Sequence, residues 1–379
     1  MNKINLVKPL LLLQLLPHTV VATAKTELSP LVTPKTSARP FRHNFIKFDE
    51  DLDRDKPLSM DDNAGFTLSS GVFIGNLSRG WVGGLSIETK KILWWLKADT
   101  ELTAPIGSFG SWVTLAHRDG TLQKVDALTG SVLWESKLES FVARPMHLSG
   151  NTLYCVTASQ IIYSIDYSSG KTNWLFDGGF PDSMALKNAA KPALFGNSVI
   201  FGVDTGELIA VNQINGKLQW RYNPAYNNAR FHDVVGKTII INRHAVVSRY
   251  DGLVASIELD GTLKAVKWKA EYPSVSTSEY RNERLFVATS SGDIIALDIH
   301  SGKEIWRSST GTTVSNLTAG ETILFSAGTN GRITAIDIQD GKRLWHDDIG
   351  GEISSPPILT EEVIYYSTGL KNMYGYRFK

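Results

Sequence analysis

Gly292-Asp-Ile-Ile-Ala-Leu-Asp298-Ile-His-Ser-Gly302-Lys-Glu-Ile-Trp306 is one copy of a pattern that returns along the whole chain. A glycine opens an apolar run, an aspartate closes it, a second glycine follows four residues later, and a tryptophan comes four residues after that glycine. Two other close copies run from Gly120 to Trp134 and from Gly331 to Trp345. Weaker copies end at Trp94, Trp174, Trp220 and Trp268, and the first three have Ser86, Asp166 and Asn212 in the aspartate position.

Each fixed position of this pattern has a physical reason. The run between the first glycine and the aspartate alternates with period 2, which predicts a β-strand. An aspartate such as Asp126, Asp298 or Asp337 accepts backbone N–H groups of the following turn, and the glycine tolerates positive φ. The tryptophan offers a large apolar face and a ring N–H. We therefore predict that the seven tryptophans pack between neighbouring sheets rather than stack on a ligand.

The seven tryptophans lie 38 to 48 residues apart, which is the length of one four-stranded propeller blade. A final segment from Ile353 to Tyr376 supplies three more strands but ends before any tryptophan. The alternating segment Phe41 to Phe48 is available as the missing strand, and pairing the two termini removes exposed sheet edges. The sequence predicts an all-β, eight-bladed β-propeller over residues 41–379, with four-stranded antiparallel blades, closed by N- and C-terminal strands.

Composition fits a folded globular chain and excludes one class of partner. Of the 379 residues, 42% are hydrophobic and 20% are charged, which permits a large buried core. Lys and Arg number 39 and Asp and Glu number 38, and no segment carries a sustained basic stripe. We therefore expect no nucleic-acid partner.

The first residues have the pattern of an export signal. Lys3 and Lys8 precede and flank an apolar run, which extends from Leu10 to Leu16, and Ala22-Thr23-Ala24 is a small-x-small cleavage site. The run is too short to span a bilayer. We predict that residues 1–24 are a signal peptide, with a buried N-terminal strand as the alternative. The proline-containing residues 25–40 are predicted to be a flexible linker, and the protein is expected in the periplasm.

The single cysteine bears on anchoring and on redox chemistry. A lipid anchor needs a cysteine directly after the cleavage point, whereas the only cysteine is Cys155. No lipobox cysteine is therefore expected, and association with the outer membrane would be peripheral, through a partner. Cys155 lies in an alternating apolar run, which favours a buried small hydrophobe over a redox role.

No recognisable catalytic or metal motif is present. The chain lacks a Gly-x-Ser-x-Gly element, a phosphate-binding glycine-rich loop and a cysteine pair. The acidic run Asp51-Leu-Asp53-Arg-Asp55 has Lys56 where a calcium loop needs glycine, which favours a solvated acidic loop. The histidines lack zinc-site spacing and are predicted at the surface or in turns. We expect no enzyme, cofactor or metal, although residues from several blades could still meet at a central channel.

The Asp-x-x-Ser/Thr-Gly-Lys-x-x-Trp unit resembles the repeat of pyrroloquinoline-quinone (PQQ) enzymes and their non-enzymatic relatives. With its length, export signal and eight repeats, the chain is similar to the BamB family of outer-membrane-protein assembly factors. This resemblance implies a periplasmic scaffold that binds the POTRA domains of the central barrel subunit and assists assembly of β-barrel proteins. A PQQ-dependent oxidoreductase and a ligand-binding propeller sensor remain as alternatives.

The same resemblance implies a partner-binding surface. The family carries a loop with two apolar residues at alternate positions, a basic residue, a proline and a Phe-Gly pair, and this loop contacts the barrel subunit. Met184-Ala-Leu186-Lys187, Pro192 and Phe195-Gly196 follow that order. Asn228 stands where the family has acidic residues in the next connecting loop. The alternative is that Met184 and Leu186 fold onto their own blade.

Overall fold

The computed structural model describes residues 41–47, 65–78, 80–179, 190–224, 231–260, 264–353, 355–361, 363–368 and 372–377. The predicted signal peptide (1–24), linker (25–40) and acidic loop (49–62) lie outside these residues. Within the described ranges the chain forms β-strands, and no helix there is long and apolar enough to cross a membrane.

The described residues form 32 strands in eight four-stranded sheets, which we number as blades 1 to 8. The N-terminal strand is β1 (Phe41–Lys47). Blade 1 consists of β2 (Phe66–Ser69), β3 (Val72–Ser78), β4 (Trp81–Ser86) and β5 (Ile92–Lys97), and blade 2 of β6 (Gly107–Phe109), β7 (Trp112–Ala116), β8 (Thr121–Asp126) and β9 (Val132–Lys137). Blade 3 consists of β10 (His147–Ser149), β11 (Thr152–Val156), β12 (Ile161–Asp166) and β13 (Thr172–Asp177), and blade 4 of β14 (Ala193–Phe195), β15 (Ser198–Gly202), β16 (Leu208–Asn212) and β17 (Leu218–Tyr222).

Blade 5 consists of β18 (Val234–Ile241), β19 (His244–Arg249), β20 (Leu253–Glu258) and β21 (Val266–Glu271). Blade 6 consists of β22 (Val275–Arg281), β23 (Arg284–Thr289), β24 (Asp293–Asp298) and β25 (Glu304–Ser309). Blade 7 consists of β26 (Val314–Ala319), β27 (Ile323–Gly328), β28 (Arg332–Asp337) and β29 (Arg343–Asp348). Blade 8 contains β30 (Ile358–Leu359), β31 (Val363–Thr368) and β32 (Asn372–Arg377).

Every blade is an antiparallel meander, and blade 8 is completed from the other end of the chain. In blades 1 to 7 the strands lie in sequence order, whereas blade 8 has the order β1-β32-β31-β30. Phe41 pairs with Arg377 and Lys47 pairs with Asn372. On its other side blade 8 meets blade 1, where the Phe73 and Tyr365 rings lie 4.7 Å apart. The predicted eight-bladed propeller, closed by N- and C-terminal strands, is confirmed.

The core lies between neighbouring blades. Second and third strands are buried on both faces, as in β24, where Ile294 to Leu297 are fully buried. Outer strands alternate instead, because one of their faces meets solvent. Trp94 of blade 1, for example, shares a cluster with Val113 and Val125 of blade 2. Each blade therefore depends on its neighbour to bury its apolar faces.

The repeat tryptophans dock on the aspartate-glycine turn of the next blade. The indole Nε1 of Trp94 donates to Ala127 O at 3.0 Å, and Ala127 directly follows Asp126. Its ring covers Gly130, where an added Cβ would lie 2.5 Å from the indole. The same pair of contacts joins Trp134 to Tyr167 O and Gly170, Trp174 to Gln213 O and Gly216, Trp268 to Ile299 O and Gly302, and Trp306 to Ile338 O and Gly341.

The carboxylate of the repeat organises the turn that receives this tryptophan. The backbone N–H of Thr129 donates to Asp126 Oδ1 at 2.9 Å, and this bond holds the pKa of Asp126 below its ordinary value. Asp166 and Asp298 accept the equivalent bonds from Ser169 and Ser301. Asp337 accepts the N–H of Gln339, Ser86 that of Thr89, and Asn212 that of Ile214.

Trp345 lacks such a turn to dock on, because blade 8 has no copy of the repeat. Its ring lies 5.2 Å from that of Tyr376 instead, and its Nε1 has no hydrogen-bond partner among the described residues. Trp220, on the outer strand of blade 4, packs against the cluster of blades 4 and 5. Each of the seven repeat tryptophans therefore packs against the next blade, and Trp345 does so through a different contact.

Replacing Gly341 by alanine tests the docking contact. A Cβ there would lie 2.6 Å from the Trp306 ring, at a φ of +75°. Gly110 is the matched control, because its φ is +67° and nothing lies within 4 Å of an added Cβ. Denaturant unfolding should show Gly341→Ala losing about 1–3 kcal/mol more than Gly110→Ala. Equal losses of unfolding free energy in the two variants would show that Gly341 is needed only for the positive φ of the turn and not for the Trp306 contact.

Deleting residues 41–47 tests ring closure. Without β1, blade 8 has three strands and β32 becomes an open edge, so the melting transition should broaden and shift to lower temperature. Deletion of residues 26–32, which removes the same length of chain upstream, is the control and should leave the transition in place. An unchanged melting curve for the first deletion would contradict closure as a source of stability.

Candidate partner-binding face

One face of the propeller carries the connections between blades. In an antiparallel meander, the connection from the fourth strand to the next blade lies at the same end as the turn between the second and third strands. We call this end the loop face; it includes the connections 178–192, between β13 and β14, and 223–233, between β17 and β18. These two connections contain all the residues predicted to bind a partner.

The predicted partner-binding residues themselves lie outside the described part of the chain. Met184, Leu186 and Lys187 fall within residues 180–189, and Asn228 falls within residues 225–230. Their role stays a prediction.

The described ends of the two connections are in contact. Ala190 N donates to Val234 O at 3.1 Å, and Lys191 forms a parallel bridge with Lys237 of β18. The first connection therefore enters blade 4 directly beside the start of blade 5. The described ends of the two connections therefore lie at neighbouring points of the loop face.

The first of two buried arginine clusters at the loop face is an ion pair. Arg144, on the connection into blade 3, donates from Nη2 to Asp204 Oδ1 at 2.8 Å and also to the Gly202 carbonyl. Both side chains of the pair are almost fully buried. Burial lowers the pKa of Arg144 and the carboxylates of Asp204 and Asp233 oppose that shift, so the guanidinium remains charged. The pair fixes blades 3 and 4 together at the loop face.

A second cluster ties both ends of the connection 223–233 to blade 5. Arg249 is fully buried at the end of β19 and pairs with Asp251, its Nε donating to Oδ1 at 3.1 Å. Its Nη1 donates to Asn223 Oδ1 at 3.1 Å, and its Nη2 lies 2.7 Å from His232 Nδ1. Because a guanidinium can only donate, Nδ1 accepts there. Asn223 precedes and His232 follows the residues around Asn228, so one arginine holds both ends.

These two clusters were missed from the sequence. The available signals were an arginine inside the apolar run Ala245 to Arg249 and the Asp-Gly pair at Asp251 and Gly252. Neither signal identifies its partners, because those come from other connections. His117, predicted at the surface or in a turn, begins a turn but is buried, and its Nε2 lies 3.0 Å from Gln123 Oε1.

The single cysteine and the possible metal-ligating side chains are the other candidates for chemistry. Cys155 is fully buried, as predicted, and burial raises the pKa of its thiol to about 12. No group of three or more His, Cys, Asp or Glu side chains among the described residues is arranged to hold a metal ion.

Blade 1 carries an exposed aromatic edge that the repeat does not explain. Trp81 on β4 and Trp95 on β5 are 40% and 38% exposed, and Leu93 beside them is exposed as well. The strand register places Thr121 and Glu135 at the two tryptophan positions in blade 2. The outer edge of blade 1 is therefore unusually apolar for this chain.

Comparison with known proteins places this geometry in a family. The family model described as outer membrane protein assembly factor BamB matches residues 78–308 and 290–377. The BamB of Bordetella pertussis is 26% identical over 299 residues, which cover 76% of each chain. The crystal structure of BamB from Moraxella catarrhalis superposes with a TM-score of 0.72 at 20% identity, covering 85% of this chain and 98% of that one.

Enzymes are also among the similar proteins. The tetrathionate hydrolase of Acidithiobacillus ferrooxidans is 24% identical over 273 residues, which cover 60% of this chain and 52% of that protein. A europium-containing methanol dehydrogenase superposes with a TM-score of 0.65 at 12% identity, which shows a shared fold alone. The BamB family model, in contrast, spans blades 2 to 7 in full and blades 1 and 8 in part, and it reaches the final strand. The chain belongs to the family of the outer membrane protein assembly factor BamB.

Proposed function

We propose that this protein is a non-catalytic periplasmic scaffold that binds the POTRA domains of a barrel assembly subunit and assists the assembly of outer-membrane β-barrel proteins. The observation that supports this function most is the family match, which extends from residue 78 to residue 377. That range includes the loop face, so the family's propeller and the connections on it are compared together.

The loop face supports recognition of another protein domain. The described ends of the two connections lie side by side, where Ala190 N donates to Val234 O, and the Arg249 cluster holds both ends of the connection 223–233. Anchored ends reduce the ordering cost of binding. In this proposal Met184 and Leu186 supply apolar anchors, Lys187 steers an acidic partner, and Asn228 contributes from the adjacent connection.

The same proposal covers localisation. Residues 1–24 would direct export, residues 25–40 would form the linker, and the propeller would be held at the outer membrane through its protein partner. Cys155 is buried inside blade 3 and is not available to carry a lipid.

Pull-down from solubilised envelopes tests the partner and its surface together. The variant replaces Met184, Leu186 and Lys187 with alanine. The control replaces Ile305, Leu344 and Lys342 with alanine, because these match the variant in being two apolar residues and a lysine. Ile305 and Leu344 are exposed on the outer strands of blades 6 and 7, and Lys342 lies beside the latter. Wild type and control should recover a POTRA-containing barrel protein, and the loop variant should recover roughly tenfold less.

Each result of the pull-down has a defined meaning, provided circular dichroism shows that all proteins are folded. Absence of the barrel subunit from the wild-type eluate would contradict the proposed partner. Equal recovery by the loop variant would still support the barrel subunit as the partner but would exclude Met184, Leu186 and Lys187 as the binding surface. Trp81 and Trp95 would then be replaced.

A PQQ-dependent oxidoreductase is the alternative favoured by the similarity to the enzyme propellers. Reconstitution with pyrroloquinoline quinone and calcium separates the two functions. A scaffold should give neither a new absorption band nor dye reduction. Either signal at one equivalent of quinone would contradict the non-catalytic proposal.

A further inference from the structure

The first strands of the blades surround a cavity of about 420 Å³ on the propeller axis. Blades 2 to 8 contribute to its lining, through the strands themselves and the residues just before them. Its charged residues are Lys191, Lys237 and Glu279. Lys191 and Lys237 also line an adjoining hollow of about 300 Å³, together with His147. The two lysines therefore lie between two connected spaces.

Three hydroxyl groups around this cavity join neighbouring blades. Thr103 Oγ1 donates to Val142 O at 2.8 Å, Ser276 Oγ to Val314 O at 2.7 Å, and Ser315 Oγ to Ile353 O at 2.8 Å. Each hydroxyl residue directly follows a buried apolar residue at the start of its blade, and each acceptor begins the next blade. A short hydroxyl side chain is thus sufficient for the structural role of this position.

Lys191 occupies that position in blade 4. It directly follows the fully buried Ala190, as Thr103 follows Leu102 and Ser276 follows Val275. A lysine is longer than the inter-blade contact requires, and it introduces a charge where blades 2, 6 and 7 have neutral hydroxyls. Burial lowers the pKa of Lys191, and the nearby charge of Lys237 lowers it further. Burying a lysine charge at this position therefore costs folding free energy, and the inter-blade contact alone does not explain why a lysine is there.

The charges around the axis do not balance. Lys237 Nζ donates to Glu279 Oε2 at 2.5 Å, so the carboxylate is already paired. Lys191 has no ion pair with any described residue. Ser278 belongs to the cavity wall, but its hydroxyl is buried against the backbone of Gly236. Lys191 is thus the cation left for a ligand.

We propose that this axial cavity binds a small organic anion whose carboxylate pairs with Lys191. The remaining lining includes Pro105, Pro145 and Leu317, which suit the hydrocarbon part of such a ligand. A volume of about 420 Å³ lies within the range of small-molecule sites. Lys191 belongs to the connection 178–192 of the loop face, but binding of a small anion to the purified protein does not depend on the proposed partner.

Binding of isophthalate, measured by calorimetry and ligand-observed NMR, tests the site. Wild type should bind isophthalate and should not bind its neutral analogue isophthalamide. Lys191→Met should weaken isophthalate binding roughly tenfold or more, because it removes the charge that pairs with the carboxylate. Lys191→Arg should retain most of the affinity. Lys269→Met is the control and should match wild type, since Lys269 is exposed on the outer strand β21 and pairs with Glu271 on the same strand.

Thermal unfolding gives a second measurement on the same proteins. Without ligand, Lys191→Met should be at least as stable as wild type, because it removes a half-buried charge beside Lys237. Isophthalate should raise the melting temperature of wild type and not that of Lys191→Met. Equal binding of isophthalate by wild type and Lys191→Met would overturn the assignment. So would equal binding of isophthalamide, or displacement of isophthalate by inorganic phosphate at the same concentration.

Discussion

The docking of an indole ring on the turn of the next blade is the interaction on which the rest of this propeller depends. The ring covers a glycine that has no side chain to oppose it, and its N–H satisfies the carbonyl beside the turn aspartate. One tryptophan thus fills apolar space and pairs a buried polar group in the same contact. Removing such a ring from a core costs about 3–5 kcal/mol. The contact recurs at five junctions, which join blades 1 to 4 and blades 5 to 7 in succession.

This arrangement separates the parts of the blade that must repeat from those that can vary. The tryptophan and turn lie at the ends of the third and fourth strands, away from the loop face. Connections there can change in length and composition without disturbing the docking contacts, as the lengthened junctions after Trp174 and Trp220 show. The Arg249 cluster then fixes both ends of the second of these longer connections, and the Arg144 pair joins blades 3 and 4. The result is a rigid ring that presents variable segments, which is suited to binding another protein.

The fold could be predicted because its determinants are local and repeated. Asp126 and Gly130 specify a turn within five residues, and the spacing of the tryptophans gives the blade length. Even the closing strand was available, because the last segment lacked a partner and Phe41 to Phe48 alternated. Contacts between distant connections could not be predicted in this way. Arg249 meets Asn223 and His232 only after the blades have assembled, and Lys191 is recognisable as unusual only when the first strands are aligned.

Site-specific photo-cross-linking in intact cells tests the central claim that this propeller presents the loop face to a barrel assembly subunit. A cross-linker in place of Leu186 would be compared with one in place of Leu344, an exposed residue on the outer strand of blade 7. The account predicts an adduct with the POTRA-bearing subunit from position 186 and none from position 344. An adduct from position 344 alone, or from neither position, would contradict it.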